Sequence, residues 1–134
     1  MADLVYNTSR VMMTAVLKAF SAWRVEGREA VPPRGPLIVV ANHLSNIDPG
    51  LVACSIPRRL QYLAKGEVFK PGIATFLRAY GAHPLERSGG DIKALRWAQK
   101  VLEQDHVLTL FPEAHRNPKS GLQRPMPGIA LLAV

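Results

Sequence analysis

The sequence predicts an α/β fold, with a mostly parallel or mixed sheet flanked by helices and preceded by an N-terminal amphipathic helix. Three observations predict it. Short apolar runs recur along the chain, at residues 37–41, 60–64, 82–85 and 107–111. Stretches with helical spacing separate them. Breaker clusters such as Val31-Pro32-Pro33-Arg34-Gly35-Pro36 fall at the joins. Strands alternating with helices imply a sheet whose strands are largely parallel. A chain of 134 residues suits a single domain with a modest core.

The first element is a helix expected over Val5 to Trp23. Val5, Met12, Val16, Phe20 and Trp23 fall near helical repeats, and Arg10, Lys18 and Arg24 supply positive charge. Two arrangements satisfy this pattern. The helix can lie in the plane of a bilayer, apolar side down, with its cations near lipid phosphates. It can equally pack on the domain as an ordinary amphipathic helix.

Leu37 to Ala41 is β-branched and continuously apolar, as expected of a strand buried on both faces. Asp48-Pro49 then suits a helix start, with Asp48 as N-cap and Pro49 in the first helical position, the helix covering about Gly50 to Ser55. Leu60 to Ala64 is the second strand. Lys70 to Tyr80 is a helix ended by Gly81, and Ala82 to Leu85 is a third strand interrupted by Pro84. Ser88-Gly89-Gly90-Asp91 opens a helix to about Gln104, with Ile92, Leu95, Val101 and Leu102 as its apolar face. Val107 to Phe111 is the fourth strand. Asn117 to Pro127 reads as a loop, and Gly128 to Val134 begins an apolar element that stops with the chain, as expected of a fragment.

Composition narrows the functions. Hydrophobic residues make up 48% and charged residues 20%, the balance of a folded protein. The net charge of +7 favours anionic partners: nucleic acid, anionic lipid or phosphorylated substrates. Nucleic acid ranks lowest, because aromatics are 7% and no recognition motif is present. The one cysteine, Cys54, has apolar or small neighbours and is expected to be a buried packing thiol. No apolar run reaches the length of about 18 residues needed for a transmembrane helix. Asp3, Lys18 and the lack of a leading basic cluster argue against a signal peptide.

Chemistry concentrates just past the predicted strands, where open α/β sheets place their sites. Asn42-His43-Leu44-Ser45-Asn46-Ile47-Asp48 follows the first strand. His43 and Asp48 are too far apart to share a helical face, but a loop folding back into a helix brings carboxylate to imidazole. The carboxylate would then fix the tautomer and leave the other ring nitrogen free to take a proton from a hydroxyl. No protein nucleophile is needed if the substrate hydroxyl attacks directly. The alternative is that Asp48 only caps a helix and His43 only fills a loop, and spacing alone favours it. Phe111-Pro112-Glu113-Ala114-His115-Arg116 follows the fourth strand, and Gly81 to Glu86-Arg87 brackets the third. Arg87 and Arg116 at strand ends suit a phosphate clamp, because guanidinium groups grip phosphate oxygens bidentately. Solvated surface charges are the commoner role for single arginines.

Together these segments resemble the glycerolipid acyltransferase family, which contains the 1-acylglycerol-3-phosphate acyltransferases. That family's motifs are Asn-His followed after four residues by Asp, a glycine with a short strand and an acidic-Arg pair, and Phe-Pro-Glu-Gly-Thr-Arg. Here they read Asn42-His43 to Asp48, Gly81 with Glu86-Arg87, and Phe111-Pro112-Glu113 with Arg116, in the same order from about Pro36 onward. Ala114 and His115 replace the family's Gly and Thr, and Pro84 replaces an aromatic. Pro127 replaces a frequent basic residue, and the family's fourth, Pro-containing motif is absent.

The resemblance implies that His43 is the general base and Asp48 its orienting carboxylate. It implies that Arg87, Glu113 and Arg116 bind the acceptor's glycerol phosphate. It implies direct acyl transfer from acyl-CoA or acyl-carrier protein to a lysophospholipid acceptor, with no metal and no cofactor beyond the acyl donor. It places the protein on an anionic membrane surface, as a peripheral protein of the cytoplasmic face. Residues 1–30 are then a surface-anchor helix, and residues 31–134 an acyltransferase domain lacking its C-terminal part. A competing expectation is a truncated, catalytically inactive membrane-surface protein of the same ancestry.

Overall fold

The computed structural model of the protein describes residues 1–85 and 92–111. The described elements are α1 (Ala2–Phe20), β1 (Leu37–Val40), α2 (Asp48–Ser55), β2 (Leu60–Lys65), α3 (Ile73–Ala79), β3 (Ala82–Leu85), α4 (Ile92–Glu103) and β4 (Val107–Leu110). Short 3-10 turns at Arg28–Ala30 and Gly66–Val68 add to them. The sheet runs β1-β4-β2-β3, and all three pairings are parallel. The α/β expectation therefore holds, with a purely parallel sheet among the described residues.

The apolar runs are continuous because β1, β2 and β4 each face two cores, although Val40 at the end of β1 is exposed. Leu60, Tyr62 and Val107, with Leu37 and Val39 beside them, face a core that includes Tyr6 of α1 and Ala53 of α2. Ile38, Leu63, Leu108 and Leu110 face the opposite core, closed by Ala98, Val101 and Trp97 of α4. Neighbouring strand residues point to opposite faces, so a strand buried on both sides needs an apolar residue at every step. The β4 strand, second in the sheet order, is buried at all four positions.

Several boundaries differ from the sequence reading for local reasons. Helix α1 ends at Phe20, because Ser21 adopts extended backbone, and Trp23 lies beyond it. Helix α3 starts at Ile73 and not Lys70, because Gly72 has a φ of 88°, outside helical space. Pro84 sits within β3, where an end strand tolerates the missing N–H. On α4, Ile92 is exposed, and the buried positions are Ala94, Ala98 and Val101. These small side chains let the helix lie close to the sheet, while Trp97 stacks on His83 with ring centroids 4.4 Å apart. Gly81 ends the turn after α3, as expected. Its φ is 98°, and a Cβ there would drive into the carbonyl oxygen of Leu60.

Helix α1 has one face packed on the domain and another carrying exposed apolar side chains. Tyr6 is 1% exposed, its hydroxyl accepts a hydrogen bond from the Leu60 N–H at 3.1 Å, and the Arg59 guanidinium lies over its ring. Asp3 pairs with Arg59, and Met13 packs against Gly50 at the start of α2. Met12, Val16 and Phe20, three of the five residues that flagged the helix in the sequence, are exposed. Tyr6, which anchors it, was not among them.

Candidate active site

The site begins where β1 runs out. The Ala41 N–H still bonds to the Leu110 carbonyl at 3.1 Å, carrying the parallel pairing one step past Val40. The chain then bends into a turn. The Asp48 N–H reaches the Ser45 carbonyl at 3.3 Å, and the Ile47 N–H points to the Ser45 hydroxyl at 3.5 Å. Ser in this position forms such local bonds readily. The turn delivers Asp48 as the first residue of α2, with Pro49 in the first turn.

Asp48 does not cap the helix it begins. Its Oδ2 points back, accepting hydrogen bonds from the Leu44 and Ser45 N–H groups, both at 2.6 Å, and one from His43 Nδ1 at 3.0 Å. The N-cap is Ile47, which makes no side-chain capping bond. The expectation of an Asp48 N-cap is thus corrected: the donors behind it, and not those ahead, hold its carboxylate. Of the two sequence readings of this loop, the imidazole–carboxylate contact is the one realised.

The electrostatics follow from these bonds. Partial burial pushes the Asp48 pKa up, but the Ser45 N–H, the His43 ring and the Leu44 N–H outweigh it, and the net shift is downward. Asp48 is therefore ionised near neutral pH and acts only as an acceptor. The His43 Nδ1 must then carry the proton it donates, which leaves Nε2 as the acceptor. The Phe111 ring, directly past β4, packs on the imidazole with centroids 4.5 Å apart and planes tilted by 32°. The His43 side chain retains 20% of its exposure and Asp48 15%, so the pair is sheltered yet reachable. The arrangement can accept a proton from a hydroxyl at Nε2 and hold the resulting imidazolium against a carboxylate.

The other strands end at the same edge. Lys65 of β2 and Leu85 of β3 are register partners there, and Phe111 follows β4. Arg87, Glu113 and Arg116 lie outside the described residues, as do the proposed Ser88–Asp91 helix start, the 117–127 loop and the 128–134 apolar element. Sequence reasoning missed the Leu44 and Ser45 N–H donors and the packing role of Phe111. Backbone donors leave no residue-type signal, but the position of Phe111 just past an apolar strand was a usable one. Among the described residues, no group of three or more His, Cys, Asp or Glu stands ready to hold a metal ion.

The acyltransferase family profile matches residues 22–134. This chain belongs to the acyltransferase family. Its sequence is 33% identical over 112 residues to the 1-acyl-sn-glycerol-3-phosphate acyltransferase alpha of Homo sapiens, covering 79% of this chain and 40% of that protein. It is 23% identical over 106 residues to the 1-acyl-sn-glycerol-3-phosphate acyltransferase of Bacillus subtilis, covering 78% of this chain and 53% of the other. The crystal structure of the 1-acyl-sn-glycerophosphate (LPA) acyltransferase PlsC from Thermotoga maritima superposes with a TM-score of 0.73 at 26% identity. That match covers 98% of this chain and 51% of the Thermotoga chain. The chain thus spans about two fifths to one half of the length of these relatives. Membership of the family and the PlsC-like α/β fold are both established by these matches.

Proposed function

We propose that the protein transfers a fatty acyl group from an acyl thioester, acyl-CoA or acyl-carrier protein, to the free hydroxyl of 1-acylglycerol 3-phosphate in phospholipid synthesis. The observation that carries this reading is the single Asp48 oxygen gathering His43 Nδ1 and two backbone N–H groups. With Nδ1 donating to that carboxylate, Nε2 is the ring nitrogen left to accept. In the reaction, Nε2 takes the acceptor's hydroxyl proton as its oxygen attacks the thioester carbonyl carbon. The tetrahedral intermediate collapses, the C–S bond breaks, and the imidazolium passes its proton to the leaving sulfur, which departs as the free thiol and restores His43 as base. Asp48 stabilises that imidazolium while it lasts. No acyl-enzyme forms, and the chain's own residues need no metal or further cofactor for these proton transfers.

In the same reading Arg87, Glu113 and Arg116, carried over from the family motifs, bind the acceptor's glycerol phosphate. The acceptor is a lipid, and the exposed apolar stripe of α1 supports a peripheral position on the cytoplasmic face of an anionic membrane. No helix among the described residues is long and apolar enough to cross a membrane. The test is thiol release from acyl-CoA with and without 1-acylglycerol 3-phosphate, in the native protein and in His43→Ala. Acceptor-dependent release that disappears in the variant, with the circular dichroism spectrum retained, is expected. Undiminished release in His43→Ala removes the base role. Vesicle binding without any release in the native protein favours the inactive relative instead.

A further inference from the structure

A second feature lies away from the His43 loop. A cleft of about 360 Å³ opens beside α1, with Arg10, Val11, Thr14, Lys18 and Arg28 in its walls. Among the described residues, no acidic side chain lines it. Neither of the ion pairs found among the described residues, His43–Asp48 and Arg59–Asp3, engages any of its cations. Arg10, Thr14 and Lys18 recur every four residues and so form one stripe of α1, which Arg28 faces from the following 3-10 turn.

At 100° per residue, Val11 lies immediately beside that stripe and begins the exposed apolar side of the helix. That side carries Leu4, Val11, Met12, Val16 and Phe20, each more than half exposed. Three cations around a cleft with no counter-ion call for an anion. Val11 and Leu4, which border the cationic stripe at the start of that apolar side, call for hydrocarbon. A nucleic acid would satisfy the first demand and leave the second in water. An anionic amphiphile at a bilayer satisfies both, because headgroup phosphate and acyl chain lie side by side at the interface.

We propose that this cleft seats the phosphate headgroup of an anionic phospholipid at the bilayer surface, while the Leu4–Phe20 stripe enters the acyl-chain boundary beside it. None of the cleft's walls belongs to the His43 loop. The inference rests on the reading of the protein as peripheral to a membrane. It adds that the attachment is chosen by headgroup charge at a particular cleft, and not by diffuse charge.

The test is vesicle sedimentation of the full chain with phosphatidylcholine alone and with phosphatidylcholine mixed with phosphatidylglycerol. Two charge-matched variants are compared. Lys18→Gln/Arg28→Gln removes two exposed cleft cations. Arg96→Gln/Lys100→Gln removes two exposed cations from α4, across the sheet. Each cation near an anionic surface contributes about a fivefold factor, so the cleft pair is expected to lower binding to the mixed vesicles about 30-fold. The α4 pair should lower it less than about threefold, because its charges lie beyond a screening length of roughly 8 Å from the lipid. Equal losses in the two variants overturn the cleft. Equal binding of the native protein to both vesicle types overturns the headgroup inference and leaves the membrane reading standing. Absence of binding to either overturns the membrane reading itself. Displacement by millimolar inorganic phosphate would show a free-anion site and overturn the lipid assignment; persistence of binding in phosphate supports it. Acyl transfer to a detergent-dispersed acceptor should be unchanged in both variants.

Discussion

Replacing Asp48 with Asn separates what its carboxylate does for the loop from what it does for the reaction. The Asn side chain is nearly the same shape, so its amide oxygen can occupy the position of Oδ2 and still accept from Leu44, Ser45 and His43. What it loses is charge. A hydrogen bond to an ionised acceptor is worth about 1.5–3 kcal/mol and a neutral one about 0.5–1.5 kcal/mol, so each of the 2.6 Å backbone bonds weakens by about 1 kcal/mol. Stability should fall by about 2 kcal/mol at neutral pH. The third bond acts on the rate. When the imidazole takes its proton, a carboxylate about 4 Å from the new charge, at an effective dielectric of about 20, stabilises it by about 4 kcal/mol. Residual exposure of both side chains, 20% and 15%, screens part of this. The expected loss in kcat is therefore about 100- to 1,000-fold. The substrate's ground state holds no such charge, so KM should change little. Urea unfolding and acceptor-dependent thiol release measure the two effects separately. A folded Asp48→Asn protein whose kcat falls less than about tenfold would refute the argument that this carboxylate holds the imidazolium.

Four further outcomes are expected. The depressed Asp48 pKa means that its contribution is present above its ordinary value, near 3.8, and is lost as pH falls through the lower folded value. The stability gap between native protein and Asp48→Asn should therefore be wide at pH 6 and begin to narrow only below about pH 4, closing as pH falls through the lower folded value, and a gap that widens in acid would reverse the sign. Gly81→Ala combines a positive φ with a Cβ directed into the Leu60 carbonyl oxygen, and should cost about 2–3 kcal/mol in urea unfolding. Tyr6→Phe orphans the Leu60 N–H, for a cost of about 1–3 kcal/mol, with the helical circular dichroism signal retained. Arg87→Ala should raise the KM for 1-acylglycerol 3-phosphate more than it lowers kcat, and an unchanged KM would remove this residue from phosphate binding.

Much of this architecture was legible because burial on both faces of a sheet leaves a plain mark. Leu37-Ile38-Val39-Val40 and Val107-Leu108-Thr109-Leu110 carry no alternation, and both proved to be strands between two cores. The sheet order was not legible, since β1 and β4 meet only through contacts far apart in sequence. On α4 Val101 and Leu102 do face the core as read, but there and on α1 part of the buried face was missed. Large side chains dominate a periodicity reading, so Ala94 and Ala98 were passed over on α4, while on α1 the buried anchor is Tyr6, whose hydroxyl sets it apart from the purely apolar residues. In the site, residue types gave His43 and Asp48. The direction of the carboxylate depended on the turn at Ser45, where backbone N–H groups compete for the same oxygen that an N-cap would have used.

Helix α1 has a consequence for anyone trimming the protein. Its outward side looks like a detachable tail, but Tyr6 plugs the domain beneath it, and a methyl group added at Gly50 would lie 2.7 Å from the sulfur of Met13. Gly50 is two residues from Asp48. Helix α1 therefore packs directly behind the helix that begins at Asp48. Deleting the first twenty residues to obtain a better-behaved protein would remove a wall of the interior and leave the His43–Asp48 turn without its backing.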